Sequence, residues 1–485
     1  MRRGKASGSI TVFMSLCLSV CLLFMGALLE SARAMLLRDQ LQQGTEAALD
    51  SLFAQYDGDL FDEFGLLLIN SEDIPEFQNM EELLTDELGK YLDLRLEYPL
   101  LPGNFLREQL ISVQITEQMP ATGMQGEVFG RCVMDYMKYR LPVQILETVK
   151  EDLLQMEKGE EEAKEAVLTT EEEEQAKEEL GQTGQKEEYE NAVQDSVIGA
   201  ADQVRNGGFM SLVLPPGYPV SEKHTTKSGF PSNSKSGLTD KGPGNLTKKL
   251  ANNLMLCEYA LEEFHNFTQH GGNETLQYEL EYMIGWKSSD EENLEECIRQ
   301  LLVLRELMNI SVIRKTPELL EQAELFAGIL VGWTGIVPLT ALVKSAAIAA
   351  WAYGEAIADV RSLLGGGRVP LKKRMDQWYL TSFAFLPAWF AGAMTGSGNC
   401  QEGMDYQGYL RLLLLKTPET QKYYGMMDMI QCRMAEIKPR FYMNECVYAV
   451  QIHTEAAAGS VFGQYGRGSM PGRGYILWAD AAEMY

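Results

Sequence analysis

Ile10 to Leu29 reads ITVFMSLCLSVCLLFMGALL, twenty residues without a charge. At 1.5 Å of rise per residue, a helix of that length extends about 30 Å, the thickness of a bilayer's hydrocarbon core. The segment therefore predicts a transmembrane helix. Arg2, Arg3 and Lys5 precede it with no acid among them, and Glu30 follows it directly. Basic flanks favour the cytoplasmic side, so these four residues predict a single pass through the cell membrane, with the amino terminus in the cytoplasm and everything after Glu30 extracytoplasmic.

Helical periodicity continues past Glu30. Leu37, Leu41, Ala48 and Leu52 recur on one face, while Arg33, Arg38, Asp39, Gln42, Gln43 and Glu46 fall mostly elsewhere. One helix from Ile10 to Ala54 would extend about 67 Å, with its first half in lipid and its second half standing above it as a stem. Gly44, inside that run, is a candidate kink. Three fates of the amino terminus predict different mature chains. A basic leader ending at Gly8 would leave Ser9 first; an uncut signal anchor would keep Met1; cleavage at Ala32-Arg33-Ala34 would release a chain beginning at Met35. An apolar run of twenty exceeds the usual core of about 7–15 residues in a cleaved signal.

Charge is distributed unevenly over the 485 residues. The chain holds 42 Lys and Arg against 69 Asp and Glu, a formal net charge of −27. Such a balance argues against a nucleic-acid partner, because affinity for phosphate backbones comes largely from cations that displace counterions. Residues 151–190 alone carry 16 acids and four Lys. With few apolar residues they read as a solvated helical or disordered insertion. Residues 206–245 contain 18 Gly, Pro or Ser and read as a linker.

These shifts predict an order of segments: a basic leader at 1–9, the membrane helix at 10–29, a membrane-proximal stem and α+β region at 30–150, and the acidic insertion at 151–205. The linker at 206–245, a helix-rich distal domain at 246–460 and a Gly-rich tail at 461–485 complete it. Within them, residues 56–63 read as an acidic turn before a strand at 64–69, and Phe441 to Ile452 as another strand. Leu325 to Val343 holds no charge, and it reads either as a second membrane crossing or as half of a buried helical hairpin. The fold class is α+β and helix-rich: a transmembrane helix, a pilin-like stem, then a largely helical ectodomain with a few strands.

Motifs for chemistry are sparse. Eight Cys show no Cys-x-x-Cys spacing, and His265 and His270 miss the helical spacing of a zinc pair. Gly365-Gly366-Gly367-Arg368 lacks the Gly-Lys-Ser/Thr ending of a phosphate loop. No nucleophile and base are brought together by spacing. The sequence thus nominates no catalytic, metal or cofactor-binding residue and predicts a protein without a cofactor.

Several blocks resemble a known family. Arg3-Gly4 through Gly8-Ser9-Ile10-Thr11-Val12-Phe13, the apolar helix, and Glu30-Ser31-Ala32-Arg33 resemble the TadE/TadG-like minor pseudopilins of tight-adherence (Tad) pilus machinery. They resemble more closely a Gram-positive family of uncharacterised envelope proteins with that kind of amino terminus. The resemblance continues in residues 56–67, in Ser211-Leu212-Val213-Leu214-Pro215, in residues 278–294, and in Met404-Asp405-Tyr406 to Leu412 with Met426-Met427-Asp428. It departs at Phe13, where classical type IV prepilins carry Glu. The resemblance implies a noncatalytic pseudopilin-like component or accessory of a Tad-type pilus or secretion system, with leader processing between Gly8 and Ser9. Its partners would be the membrane and other envelope or pilus-assembly proteins. The alternative is an independent signal-anchored surface protein that binds a ligand, an adhesin partner or a wall polymer.

Overall fold

The computed structural model describes residues 7–70, 80–94, 108–138, 143–164, 186–225, 229–234, 246–269, 275–394, 402–461 and 474–485, with isolated positions between them. The architecture is α+β and helix-rich. Two compact units share the chain: unit 1 comprises residues 1–132 and 437–485, and unit 2 comprises 133–436. Unit 2 is therefore an insertion between two stretches of unit 1. A boundary near 150 and a distal domain running to 460 were expected, but the chain returns to unit 1 at 437. Strands at 69–70 and 109–120 pair there with residues more than 300 positions later in the sequence, and no local pattern announces such a pairing.

Unit 1 is built on α1 (Ser7–Phe53), an unbroken helix of 47 residues. No residue from Ile10 to Leu29 is buried. Burial begins at Glu30 and recurs at Arg33, Leu37, Gln40, Leu41, Gly44, Thr45, Ala48, Leu49, Leu52 and Phe53, a stripe at the three-to-four-residue period of a helix. Arg33, expected on the polar side, is in phase with Leu37 and lies inside the stripe. Gly44 does not kink the helix. A Cβ there would lie 2.9 Å from side-chain carbons of both Leu88 and Tyr91, so the glycine lets the neighbouring helix α3 (Met80–Leu94) approach closely.

The stripe packs on an antiparallel sheet of β1 (Ile69–Asn70), β2 (Gln109–Pro120), β3 (Cys446–Gly459) and β4 (Gly474–Met484). The central strand β3 pairs with β2, β4 and, near its start, β1. Along β3, Val450, Ile452, Thr454, Ala456 and Ala458 are buried while Gln451 is exposed and His453 and Glu455 are half-buried. Leu37 and Leu41 meet Ala456, Ala458, Leu477 and Ala479. Farther along α1, Ala48 to Phe53 join Leu83, Leu84 and Leu88 of α3 and Val450 and Ile452 of β3. Small residues on the sheet let the helix lie close, and Thr45 and Thr454 hydrogen-bond across the contact at 2.8 Å.

Local expectations needed correction in three places. The expected turn at 56–63 is instead a capped helix, α2 (Gly58–Phe64), whose Asp57 carboxylate accepts from Leu60 N at 3.1 Å. It ends at Gly65 with φ +66°, and the strand after it is only the two-residue β1. The strand expected at 441–452 lies further on, at Cys446–Gly459, because its register is set by β2 and β4. Residues 474–484 are β4 and not a Gly-rich tail. The apolar alternation of Tyr475, Leu477 and Ala479 outweighs the glycines before it; residues 462–473, with most of those glycines, lie outside the described residues.

In unit 2, the acidic insertion opens as helix α5 (Val143–Lys164), preceded by α4 (Glu127–Met137). Val149, Met156 and Ala163 of α5 are buried, and Glu162 and Glu160 pair with Lys315 and Lys416. The start of the acidic run is thus docked, and not wholly solvated; residues 165–185 lie mostly outside the described residues. The expected linker begins late, because helix persists to Val213 with Phe209, Leu212 and Val213 buried. Its part at 235–245 lies outside the described residues. Farther on, Pro317–Val331 and Val337–Leu364 form a helical hairpin beside the helix Asp290–Lys315. From Ala350 to Leu364 every residue is buried, as in a core helix, whereas the run 325–343 turns within the hairpin and leaves Leu325, Ile329 and Val337 exposed.

That core contains a compact ionic cluster. Arg305 donates to Asp359 at 2.9–3.0 Å, to the carbonyls of Pro370 and Leu371 at 3.1 and 2.9 Å, and to Tyr409 Oη at 3.0 Å. Lys373 binds Asp359 at 2.6 Å and also Glu355, whose carboxylate accepts from the Tyr379 and Leu380 amides. Two cations face two carboxylates, and all four residues are at most 4% exposed. Burial pushes the Asp359 carboxyl up, but Lys373 and Arg305 together hold it below its ordinary value. Removing one member leaves an uncompensated buried charge. Asp359→Ala should cost about 3–5 kcal/mol, measured by urea unfolding followed through Trp351 and Trp378, which pack edge to face near Lys373.

Candidate functional site

The feature of unit 1 with the most distinctive chemistry lies where the exposed apolar part of α1 becomes buried. Glu30 is the first residue after the uncharged run, and Arg33 follows it by one turn. Arg33 Nη1 donates to Glu30 Oε1 at 3.0 Å and to the Gly459 carbonyl, the last residue of β3, at 2.8 Å. Glu30 also accepts from Tyr475 Oη at 2.6 Å and from Val461 N at 3.2 Å. The loop-proximal ends of both strands of the β3–β4 hairpin are thereby held against one turn of α1.

The contacts continue up the helix. The Arg38 guanidinium lies 4.6 Å from the Trp478 ring centroid, and Gln42 Nε2 donates to the Asp480 carbonyl at 3.0 Å. Arg33 is 2% exposed and Glu30 9%, so the pair is screened little by solvent. Burial and the Glu30 carboxylate both push the Tyr475 phenol above its ordinary value, which keeps it a donor. Around the clamp the outer surface is apolar and aromatic: Met35, Leu36, Ile476 and Trp478 are all about half or more exposed.

Of the residues nominated from sequence, Glu30 is placed in this clamp. Gly8 and Ser9 lie in the first turn of α1, and Arg2, Arg3 and Lys5 lie outside the described residues. Arg33, Gly459, Val461 and Tyr475 were missed. The spacing Glu30, Arg33, Leu37, Leu41 was a legible signal for the first of these, since it puts the ion pair on the apolar face. Nothing local ties Tyr475 to a residue 445 positions earlier.

Other reactive side chains are dispersed. His265 pairs with Glu279 at 3.0 Å, and His453 pairs with Asp480 across β3 and β4 at 2.6 Å; His270 lies outside the described residues. Among the described residues no cysteine pair forms a disulfide. Among the described residues no group of three or more His, Cys, Asp or Glu could hold a metal ion. In unit 2, Glu281 accepts from Tyr406 Oη at 2.8 Å, and Cys297 lies 3.9 Å from the same hydroxyl. Burial pushes Glu281 up to about 7 and the Cys297 thiol well above its ordinary value, so the thiol keeps its proton near neutral pH. A groove of about 590 Å³ also opens in unit 2, where the ionisable lining groups are Tyr189, Glu190 and Asp202.

The fold and the clamp define a protein with a long apolar amino-terminal helix, compatible with a signal anchor or membrane span, continuous with the central helix of an α+β unit. The chain belongs to a family of unknown function (DUF5702), which matches residues 187–458, more than half of its length. The match covers much of unit 2 and nearly all of β3. No curated protein matches the chain, and no solved structure does.

Arg33→Ala should destabilise unit 1 by about 3 kcal/mol, because it leaves Glu30 buried without its cation. Glu30→Gln, which keeps hydrogen-bonding capacity, should cost less; thermal unfolding of the full chain in detergent measures both.

Proposed function

We propose that this is a noncatalytic membrane protein whose ectodomain stands outside the cytoplasm as a pseudopilin-like component or accessory of a Tad-type pilus or secretion system. One observation carries the reading. An unburied, uncharged segment of twenty residues runs without a break into a helix whose next face is buried on an antiparallel sheet. A helix with one half for lipid and one half for a globular unit suits a subunit that is held in a bilayer and also assembled through its ectodomain.

The clamp fits that reading physically. Tyr and Trp are enriched at membrane–water borders, where an apolar ring body and a polar tip match the gradient. Tyr475 and Trp478 meet α1 within the first turns after its apolar run. The Glu30–Arg33 pair fixes how the sheet is rotated about the helix axis, and so which surface the ectodomain would present to neighbouring envelope proteins. Release by cleavage after Ala34 would sever this arrangement, and Arg33, at the centre of that site, is buried.

Amino-terminal sequencing of the mature protein from the membrane fraction tests the proposal. A start at Ser9 is expected for the pseudopilin route. An intact Met1 would leave a plain anchor and overturn the pilin part; a soluble chain starting at Met35 would overturn the whole reading.

A further inference from the structure

In unit 2, the turn between Pro317–Val331 and Val337–Leu364 projects apolar side chains into solvent. Ile329 is 82% exposed and Val337 79%, the highest values for large apolar residues among those described, and Leu325 is 60% exposed. They belong to the uncharged run Leu325–Val343, LFAGILVGWTGIVPLTALV. The charges nearest this run, Glu324 and Lys344, form an ion pair at 2.8 Å across its base. Below that pair the second helix enters the core; above it one face of the hairpin, with Leu325, Ile329 and Val337, stays exposed while Ala327, Val331, Leu339 and Val343 are buried.

The way the tip handles its polar groups points to what covers it. Its two hydroxyls turn inward: Thr334 Oγ1 donates to the Val331 carbonyl at 2.7 Å and Thr340 Oγ1 to the Ile336 carbonyl at 3.4 Å. Within the turn, Gly335 N donates to the Gly332 carbonyl at 3.3 Å and Ile336 N to Thr334 Oγ1 at 3.2 Å. Pro338, in the first turn of the second helix, removes one of the amides that a helix start leaves over. Hydrocarbon favours such internal bonds, since it offers no partner to a polar group, although the second helix starts at Ile336 without a side-chain cap. A surface for another protein would instead present hydrogen-bonding groups, roughly one bond for every 100–200 Å².

Length separates dipping from spanning. Seven residues on each arm, 325–331 and 337–343, reach about 10 Å, against about 30 Å for a crossing. That depth matches the 5–10 Å or so to which interfacial helices sink.

We propose that residues 325–343 are a lipid-dipping hairpin that seats unit 2 on the surface of a bilayer. The proposal rests on the membrane reading of α1. The hairpin adds a second, shallow attachment, with Glu324 and Lys344 at the level of the headgroups and Leu325, Ile329 and Val337 among the acyl chains.

Photocrosslinking of the full chain tests this in vesicles of phosphatidylethanolamine and phosphatidylglycerol. A benzophenone amino acid is placed singly at 22, at 329, at 337 and, as a control on exposed surface elsewhere in unit 2, at 303. Lipid adducts are expected at 22, 329 and 337 but not at 303. With the probe at 329, Val337→Asp should lower the lipid adduct about tenfold or more, because a carboxylate is expensive in hydrocarbon. Adducts at 22 without lipid adducts at 329 and 337 overturn the hairpin and leave the anchor standing. Adducts from 329 to a second copy of the chain or to another protein likewise overturn it. Absence of lipid adducts at all positions, 22 included, overturns hairpin and anchor together.

Discussion

The structure of unit 1 depends on one frontier along α1. Before Glu30 the helix offers apolar side chains to its surroundings; from Glu30 onward the same helix is the core of a folded unit. Apolar burial supplies the attachment. Leu37, Leu41, Leu49, Leu52 and Phe53 are each at most 6% exposed, and each fully buried side chain of that size is worth about 1.5–3 kcal/mol. An ion pair adds little net energy beyond that, since desolvation offsets much of its attraction. What Glu30 and Arg33 contribute is position: they tie one turn of the helix to Gly459, Val461 and Tyr475, and so fix where the sheet starts along α1.

Unit 2 solves a different problem. It is inserted into unit 1 between β2 and β3, and it must fold within those constraints. Its central helix, Val337–Leu364, carries Glu355 and Asp359 into the core, where Arg305 and Lys373 meet them. These contacts join segments separated by 14–54 positions and add the loop carbonyls of Pro370 and Leu371, so the cluster specifies which loop lies over which helix. The same helix begins bare at Val337, so its two ends face opposite environments.

Much of this was legible in the residues. The uncharged run to Leu29 and the stripe at Leu37, Leu41, Ala48 and Leu52 follow from helical period and composition. Long-range relations were not legible. Strand β3 finds partners at 69–70, 109–120 and 474–484, and its register depends on all three, so its boundaries could not be read from 441–452 alone. Asp57 illustrates a local miss: four acids in eight residues look solvated, yet the first caps a helix and pairs with Lys438 at 2.8 Å. Of the clamp, only Glu30 was marked, and as a topology signal; that it would be buried against Tyr475 depends on a tertiary contact.

The central claim is that α1 is a single helix with two solvents, lipid to Leu29 and protein from Glu30. Hydrogen–deuterium exchange of the full chain in lipid nanodiscs tests it most directly, because amide protection reports helix continuity residue by residue. The account predicts slow exchange throughout residues 14–52, with no fast segment where the two halves join. Rapid exchange at residues 28–36, or along the whole of 10–29, would contradict it.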